Sequence, residues 1–406
     1  MIIRYFQNQL YNCFIAIILI LFFSEYSLLY AKEARGVTNN QIKIGVIIDL
    51  TGPISNAGVI IVKAYKNLLK SINDNGGIHG RKIKLIIEDD HYSIPAGIAG
   101  FKKLVFKDKV LAILGPISIG EVKVLFRHIA KHKIPTMPWA PDRAVMNPYK
   151  RYVFPTNGFY DNEWGVLFDY IVNNIKPNKQ KIALCYPDVE SGKVVKGSAE
   201  KWAKSYGIKL HKEIIPLSAI DVTSQVLGMR RVGTEVILLH HVAPGAAAVL
   251  RDLKKFGLNI PLLGTSAACT EDVIRIGGKA TKNFIGASPY SSWHEETPGM
   301  SRVRKISMKY NPDDIESYKI KSYTLGWTIF EILHEGLKRS GRSLNGENLV
   351  KALESIQNFD TQGLCGPITY TSKKHYGLNY NKLFKSEPES KRLIPITKWK
   401  LPPKIR

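Results

Sequence analysis

The turn at residues 115–120 is the segment of this chain best suited to bind a small molecule. It reads GPISIG and joins an apolar strand directly to a helix. Backbone N–H groups at the start of a helix have no partner within the helix, so such a turn favours a carboxylate or another anion. The alternative is an ordinary helix cap by Ser118. Residues 137–143 (MPWAPDR) follow the next strand and should lie beside this turn on the same edge of the sheet.

Residues typical of catalysis do not combine into a known motif. The chain contains no GxSxG, Walker A or HExxH sequence. His240 and His241 end an apolar strand, where they could contact a ligand, but neighbouring strand residues face opposite sides, which argues against a shared metal. Residues 88–90 (EDD) end another strand and fit a turn and helix cap better than a cation site. We therefore predict no enzyme activity, no cofactor and no metal site.

Strands and helices alternate twice along the chain. A first series opens with a strand from Ile42, an amphipathic helix and a strand at 82–88, and a second series runs from a strand at 181–186 to one at 261–264. This alternation predicts parallel sheets covered on both faces, which bind ligands at the carboxyl ends of their strands. The other predicted elements are helices at 94–107, 120–132, 315–339 and 346–357, and strand and turn structure at 368–380.

The two series predict two lobes. Each has its own apolar strands, and 406 residues are too many for one ordinary core. Segments 154–165, 287–289 and 363–366 are interpreted as crossings, and several short crossings form a hinge instead of a flexible tether. The predicted boundaries are 40–156 with 290–363 for the first lobe, and 157–289 with 364–406 for the second.

The first 31 residues have the features of a secretory leader. Arg4 is the only charge before an apolar run at 13–23, and this run is too short to span a bilayer. We predict a signal peptide at 1–31 that is cleaved after Ala31; the alternative is an uncleaved membrane anchor. The later sequence has no stretch long and apolar enough to span a membrane, so we expect no membrane insertion after cleavage.

The net charge and the cysteine content exclude few classes of function. The net charge is +24, but the basic residues are scattered and no nucleic-acid-binding motif accompanies them, so we expect a solvated basic surface and no nucleic-acid partner. Cys185, Cys269 and Cys365 remain after removal of the leader and lack metal-binding spacing. They allow one disulfide and leave at least one free thiol.

The order of the motifs resembles the branched-chain amino acid-type (Leu/Ile/Val-binding) substrate-binding proteins of ABC transporters. The resemblance covers nearly the whole mature chain and rests on TGPISNAG, NDNGGIHGRKIKLIIEDD, VLAILGPISIG, IPTMPWAP and FPTNGFYDNEWG, in that order. It implies an α/β, type I periplasmic-binding-protein fold with two Rossmann-like lobes, three crossings and a cleft that closes on its ligand. It also implies a periplasmic protein, expected to be a monomer, that serves a permease and its ATPase.

Two alternatives to transport remain. A protein of this fold could sense a ligand and act on a signalling partner, or, less in keeping with the residues, be an exported enzyme.

The resemblance implies ligand binding at ten positions of this chain. These are Ser118, Ile119, Trp139, Ala140, Pro141, Tyr160, Ser191, Val242, Ser266 and Tyr290.

The predicted site departs from the pattern of amino-acid binders. Ile119 replaces a hydroxyl residue, Ala57 and Ser191 replace aromatic residues, and Ser266 replaces the carboxylate that pairs with a ligand ammonium. Trp139 and Pro141 replace an alanine and a threonine. An ammonium buried without a charge partner is strongly destabilised. We therefore predict a less polar solute, such as an aromatic or aliphatic carboxylate, with Arg143 as a positive charge at the rim.

Overall fold

The structure, a computed structural model, describes residues 34–140 and 142–405; the leader predicted at 1–31 lies outside them. Four parallel strands form the first of two sheets, in the order β2-β1-β3-β4 once numbered along the chain. They are β1 (Gln41–Ile48), β2 (Lys82–Asp89), β3 (Ala112–Leu114) and β4 (Thr136–Met137). Ile44 and Val46 of β1 are fully buried because helices cover both faces of the sheet.

Seven strands form the second sheet. They are β5 (Ile182–Tyr186), β6 (Leu210–Ile214), β7 (Val236–Leu239), β8 (Leu262–Gly264), β9 (Phe284–Ser288), β10 (Lys382–Glu387) and β11 (Arg392–Pro395). Their order is β11-β10-β9-β8-β7-β5-β6, and only the pairs β9–β10 and β10–β11 are antiparallel. Every residue of β5 and β7 is buried, as expected for central parallel strands.

Twelve α-helices cover these sheets in the described part of the chain. Those that follow the first sheet's strands are α1 (Ser55–Asp74), α2 (Ile94–Lys102) and α3 (Ile119–His132). The second lobe carries α4 (Tyr160–Tyr170), α5 (Glu190–Ser205), α6 (Thr223–Arg231), α7 (Ala243–Lys255) and α8 (Asp272–Gly277). The last four are α9 (Pro298–Tyr310), α10 (Ile315–Tyr318), α11 (Lys321–Arg339) and α12 (Gly346–Glu354). Of these, α9 and α11 pack on α1 and so belong to the first lobe.

The pattern of α1 illustrates how the sequence specifies the first lobe. The helix ends at Asp74, and Gly76 and Gly77 after it have positive φ, which glycine adopts without strain. Its apolar residues, spaced three and four apart, face the sheet as predicted. The buried residues of this face are Ile61, Ala64, Tyr65, Leu68 and Ile72.

The chain crosses between the lobes three times, as predicted. It leaves the first sheet after β4, returns to the first lobe between β9 and α9, and crosses again between α12 and β10. The three crossings bond to one another. The Tyr290 hydroxyl donates to the Thr156 carbonyl at 2.6 Å, and the Ser291 N–H donates to the Leu364 carbonyl at 2.8 Å. These bonds join the crossings into one hinge.

The sequence prediction is partly wrong in the last third of the chain, although the helix expected at 346–357 is present as α12. The helix expected at 315–339 is broken, because Ile320 adopts an extended conformation (φ −82°, ψ 130°) and α11 starts only at Lys321. Helix α9 and strands β10 and β11 were not predicted. Residues 368–380 form only isolated bridges: Thr371 pairs with Lys374 in a tight turn, and Ile368 pairs with Phe359 outside the segment.

Two further features bear on the sequence predictions. Cys185, Cys269 and Cys365 are all free and buried, so the disulfide that their number allowed is not formed among them. Within residues 34–140 and 142–405, no helix is long and apolar enough to cross a membrane.

Candidate functional site

A cleft lies where the carboxyl ends of both sheets meet. Its lining residues follow the strands in order, as expected for parallel α/β sheets. The first lobe contributes Ile54, Asn56 and Ala57 after β1, Tyr92 after β2, Ile117 and Ile119 after β3, and Trp139 after β4. The second lobe contributes Pro187, Ser191, Leu217, His240, His241, Val242, Ala243, Ser266, Ala267, Cys269, Thr270 and Asp272. Tyr160, Ser288, Tyr290, Lys321, Ser322 and Leu325 complete the lining.

Aromatic rings form much of the lining. Tyr290 is buried and uses its hydroxyl on the hinge, so it presents its ring to the cleft. Tyr160 starts α4, and its ring packs edge-on against His240 with the centroids 4.4 Å apart. Trp139 is half-buried, and its Nε1 has no hydrogen-bond partner among the described residues. The cleft can therefore hold a flat or branched apolar group by contact with ring faces.

Both histidines of the cleft are buried without a carboxylate partner. Nδ1 of His240 lies 2.8 Å from the Thr265 hydroxyl, and burial lowers the pKa of His240 to about 3. His241 bonds the Pro216 carbonyl through Nε2 at 3.2 Å, and burial lowers its pKa as well. Both rings are therefore neutral at pH 7, and neither supplies positive charge to the cleft.

Ser266 is hydrogen-bonded to a buried acid of the same lobe, Glu163. Its backbone N–H and its hydroxyl each donate to the carboxyl group of Glu163, both at 2.7 Å. Glu163 lies on α4 and is fully buried, and burial raises its pKa to about 8 although the two bonds from Ser266 oppose the shift. At pH 7 this carboxyl group is mostly protonated and lies behind Ser266.

The family model of the periplasmic binding proteins matches residues 41–384 of the chain. The chain belongs to this family. It is accordingly a substrate-binding protein of the ABC transporter type. The type I periplasmic-binding-protein fold predicted from the motifs is confirmed.

Known periplasmic binding proteins resemble the chain over most of its length. A Leu/Ile/Val-binding protein homologue (homolog 3) of Brucella melitensis is 22% identical over 338 residues, which cover 82% of this chain and 87% of the relative. The structure of a branched-chain amino acid ABC transporter protein from Thermus thermophilus with bound valine has a TM-score of 0.83 and 22% identity, covering 90% of this chain and 97% of that one.

A second solved structure carries a different ligand. A solute-binding protein of Rhodopseudomonas palustris in complex with 3,4-dihydroxybenzoic acid has a TM-score of 0.77 and 18% identity, covering 90% of this chain and 98% of that one. At such identities these likenesses establish the fold and leave the ligand to the residues of the cleft.

The structure brings most of the predicted binding residues of this periplasmic binding protein together. Those that line the cleft are Ile119, Trp139, Tyr160, Ser191, Val242, Ser266 and Tyr290. Ser118 instead caps α3, where its hydroxyl accepts the Glu121 N–H at 3.4 Å, so the alternative reading of this serine is the one the structure favours. Ala140 is fully buried, and its carbonyl accepts the Asp142 N–H at 2.9 Å. Pro141 lies outside the described residues.

Two charged groups differ from the sequence interpretation. Arg143 is not a free rim charge: its guanidinium bonds Asp161 and Asn162 of α4, both at 2.7 Å. Glu163 supplies a carboxyl group beside Ser266, whereas the motif comparison placed none there. Glu163 follows Tyr160 by three residues on α4, so one helical turn brings both residues to the same face of the helix. This spacing was the signal that could have placed Glu163 near the site.

Lys321 and the segment 269–272 were missed because they follow no recognised motif. Lys321 reaches the cleft only because α10 and α11 are separate helices, which periodicity did not reveal. Thr270 lies in the turn beyond the strand end at Gly264 and Asp272 starts α8, and neither position was predicted to belong to the site.

An acidic cluster supports the turns of the first lobe that reach the cleft. Asp49, Asp89 and Asp90 each place an oxygen within 4.8 Å of the others, which is close enough for a cation. Each, however, already accepts backbone N–H groups of a turn: Asp49 from Ile54 at 2.9 Å, Asp89 from Leu50 at 2.9 Å and Asp90 from Tyr92 at 2.8 Å. The cluster therefore positions the lining residues Ile54 and Tyr92.

Proposed function

We propose that this protein captures a less polar organic solute, namely an aromatic or aliphatic carboxylate, and delivers it to an ABC permease. The observation that carries the proposal is the combination of an apolar, aromatic cleft with a buried acid, Glu163, that Ser266 closes off. The relative that binds 3,4-dihydroxybenzoic acid supports an aromatic acid in this fold. The relative with bound valine has the higher TM-score, 0.83 against 0.77, but identities of 22% and 18% establish only the fold, so the choice between ligands rests on the cleft.

A ligand ammonium would be poorly accommodated in this cleft. Glu163 is not among the residues that line the cleft and accepts two hydrogen bonds from Ser266, and its raised pKa leaves little negative charge there at pH 7. Asp272, which lines the cleft, is paired with Arg275 at 2.9 Å. Burying an ammonium beside partners of this kind costs more than the hydrogen bonds return.

Capture proceeds by closure of the two lobes on the ligand. We place the boundaries between the lobes near residues 156, 290 and 363. Two ion pairs join the lobes: Lys123 with Glu190 and Arg143 with Asp161, both at 2.7 Å. A ligand that contacts both lobes stabilises the closed form, because only that form provides all its contacts. The protein acts as a monomer, without enzyme activity.

The partner of the closed form is a permease with its ATPase. Export requires the leader at 1–31, which fits a cleavable signal peptide. The mature chain then works in the periplasm, where the closed form docks on the permease and releases its ligand.

A thermal-shift screen of the mature chain tests the ligand class. We expect benzoate, hydroxybenzoates or medium-chain aliphatic acids to raise the melting temperature, and leucine and valine to leave it unchanged. Stabilisation by leucine or valine but by none of the acids would contradict the proposal.

A further inference from the structure

Lys321 carries an ammonium group that the fold buries without a hydrogen-bond partner. It is the first residue of α11, is only 4% exposed, and lines the cleft with Ser322 and Leu325 of the same helix. Its backbone N–H donates to Glu271 at 2.8 Å, which fixes the start of the helix. Its Nζ has no hydrogen-bond partner among the described residues and lies over the ring of Phe384, 3.0 Å from the centroid.

The acids near Lys321 are engaged elsewhere. Glu271 accepts the Ser292 hydroxyl at 2.9 Å in addition to the Lys321 backbone, and burial raises its pKa. Glu295 is paired with Lys382. The Cys269 thiol also faces the ammonium, and burial raises its pKa to about 12, so it is neutral at pH 7. The ring of Phe384 offers a cation only part of the stabilisation that a carboxylate gives.

Buried polar atoms without a hydrogen bond belong to three of the described residues that line the cleft. Among the described lining residues, the buried side-chain atoms without a hydrogen bond are Nε1 of Trp139, Oγ1 of Thr270 and Nζ of Lys321. Two of the three are N–H donors, the third is a hydroxyl, and none is a carboxylate oxygen. A ligand that satisfies them must bring oxygen acceptors, and an anionic oxygen suits the ammonium best.

We propose that Lys321 binds the carboxylate of the solute and so makes this cleft selective for organic acids over their neutral analogues. The inference rests on the proposed function, since it takes the cleft as the solute site. The ligand carboxylate supplies the charge partner that the folded chain withholds from Lys321, while the aromatic lining holds the apolar body. Burial lowers the pKa of Lys321, and a bound carboxylate reverses this shift.

The test compares 3-phenylpropionate with its neutral amide, 3-phenylpropionamide, by isothermal titration calorimetry. The proteins are the wild type, Lys321→Met, which keeps an apolar chain over Phe384, and Lys338→Met. Lys338 lies in the last turn of the same helix and its side chain is 57% exposed, so this variant has the same charge change outside the cleft. If Lys321→Met does not fold, as judged by its melting curve, Lys321→Gln takes its place.

We expect the wild type and Lys338→Met to prefer the acid over the amide by at least about tenfold. Lys321→Met should lose about 10- to 100-fold in affinity for the acid, with the amide little changed. Acid binding by Lys321→Met at wild-type affinity would overturn the role of Lys321 and leave the proposed function standing. Failure of the wild type to bind this acid and the acids of the thermal-shift screen would instead overturn the proposed ligand class, and this inference with it.

Discussion

Ser266 and Glu163 share two hydrogen bonds of 2.7 Å that link the turn after β8 to helix α4. Both donors of the serine are used on one carboxyl group, so the residue that replaces the expected acid of the site is itself tied to an acid. The pair withholds a charge partner from a ligand ammonium and stiffens the surface against which the ligand packs.

Replacement of Ser266 by alanine should destabilise the protein. The change leaves one oxygen of the buried Glu163 carboxyl group without its hydroxyl donor, which costs about 1–3 kcal/mol. Chemical denaturation at pH 7 measures this loss, and Ser224→Ala, at an exposed serine of α6, serves as the control with no expected change. Equal stability of the two variants would show that the Ser266–Glu163 contact contributes nothing to the free energy of unfolding.

The ion pair between Lys123 and Glu190 should favour closure by a small, salt-dependent amount. The side chains are 32% and 46% exposed, so removing the pair by Glu190→Gln should weaken ligand affinity by about two- to fivefold at low salt and less at high salt. Titration of 3-phenylpropionate at two salt concentrations measures this effect.

The matched control is Lys212 with Glu200, a pair of similar length (2.8 Å) and exposure within the second lobe. Because its partners do not move relative to one another on closure, Glu200→Gln should leave the affinity unchanged. The closure role of Lys123 and Glu190 would be contradicted if both variants weakened binding equally.

Glu121 should make the protein less stable as the pH rises. Burial and the nearby Asp90 and Asp49 raise its pKa from 4.5 to about 9, so the folded state holds a proton that the unfolded state releases. Stability from this group is therefore complete below pH 4.5 and is lost as the pH rises toward 9. Glu121→Gln should raise the free energy of unfolding at pH 8 by at least about 1 kcal/mol and leave it unchanged near pH 4.

Glu347 provides a control of opposite sign. Hydrogen bonds from Tyr152 and Arg151 lower its pKa, so its contribution is present above pH 4.5 and disappears as the pH falls through the lowered value. Glu347→Gln should accordingly lose stability at pH 7 and little at pH 3. If the stability of Glu121→Gln and of Glu347→Gln changed with pH in the same way, the opposite pKa shifts of Glu121 and Glu347 would be contradicted.

The sequence was informative wherever periodicity and motif order act locally. The strands up to β8 and the face of α1 follow from apolar spacing, and the strand ends place most of the cleft residues, because a parallel sheet gathers those ends at one edge. The lone hydroxyl of Ser118 was ambiguous between a cap and a ligand contact. Only the coordinates, which show it bonded to the Glu121 N–H, favour the cap.

The positions of Glu163 and Lys321 could not be predicted in this way. Glu163 approaches Ser266 from 103 residues away, a contact that depends on how α4 packs against the turn after β8. Lys321 enters the cleft because the chain breaks at Ile320, and this break follows from the bond between the Lys321 N–H and Glu271, 50 residues distant. Long-range contacts of this kind leave no periodic signal in the sequence.

The most direct test of the proposed ligand class compares leucine with 4-methylpentanoate, which has the same side chain and carboxylate but lacks the α-ammonium. Calorimetric titration of the mature chain at pH 7 measures both affinities under the same conditions. We expect 4-methylpentanoate to bind more tightly than leucine by at least about tenfold, because the cleft offers Lys321 to the carboxylate and no free acid to the ammonium. Tighter binding of leucine would contradict the proposed ligand class.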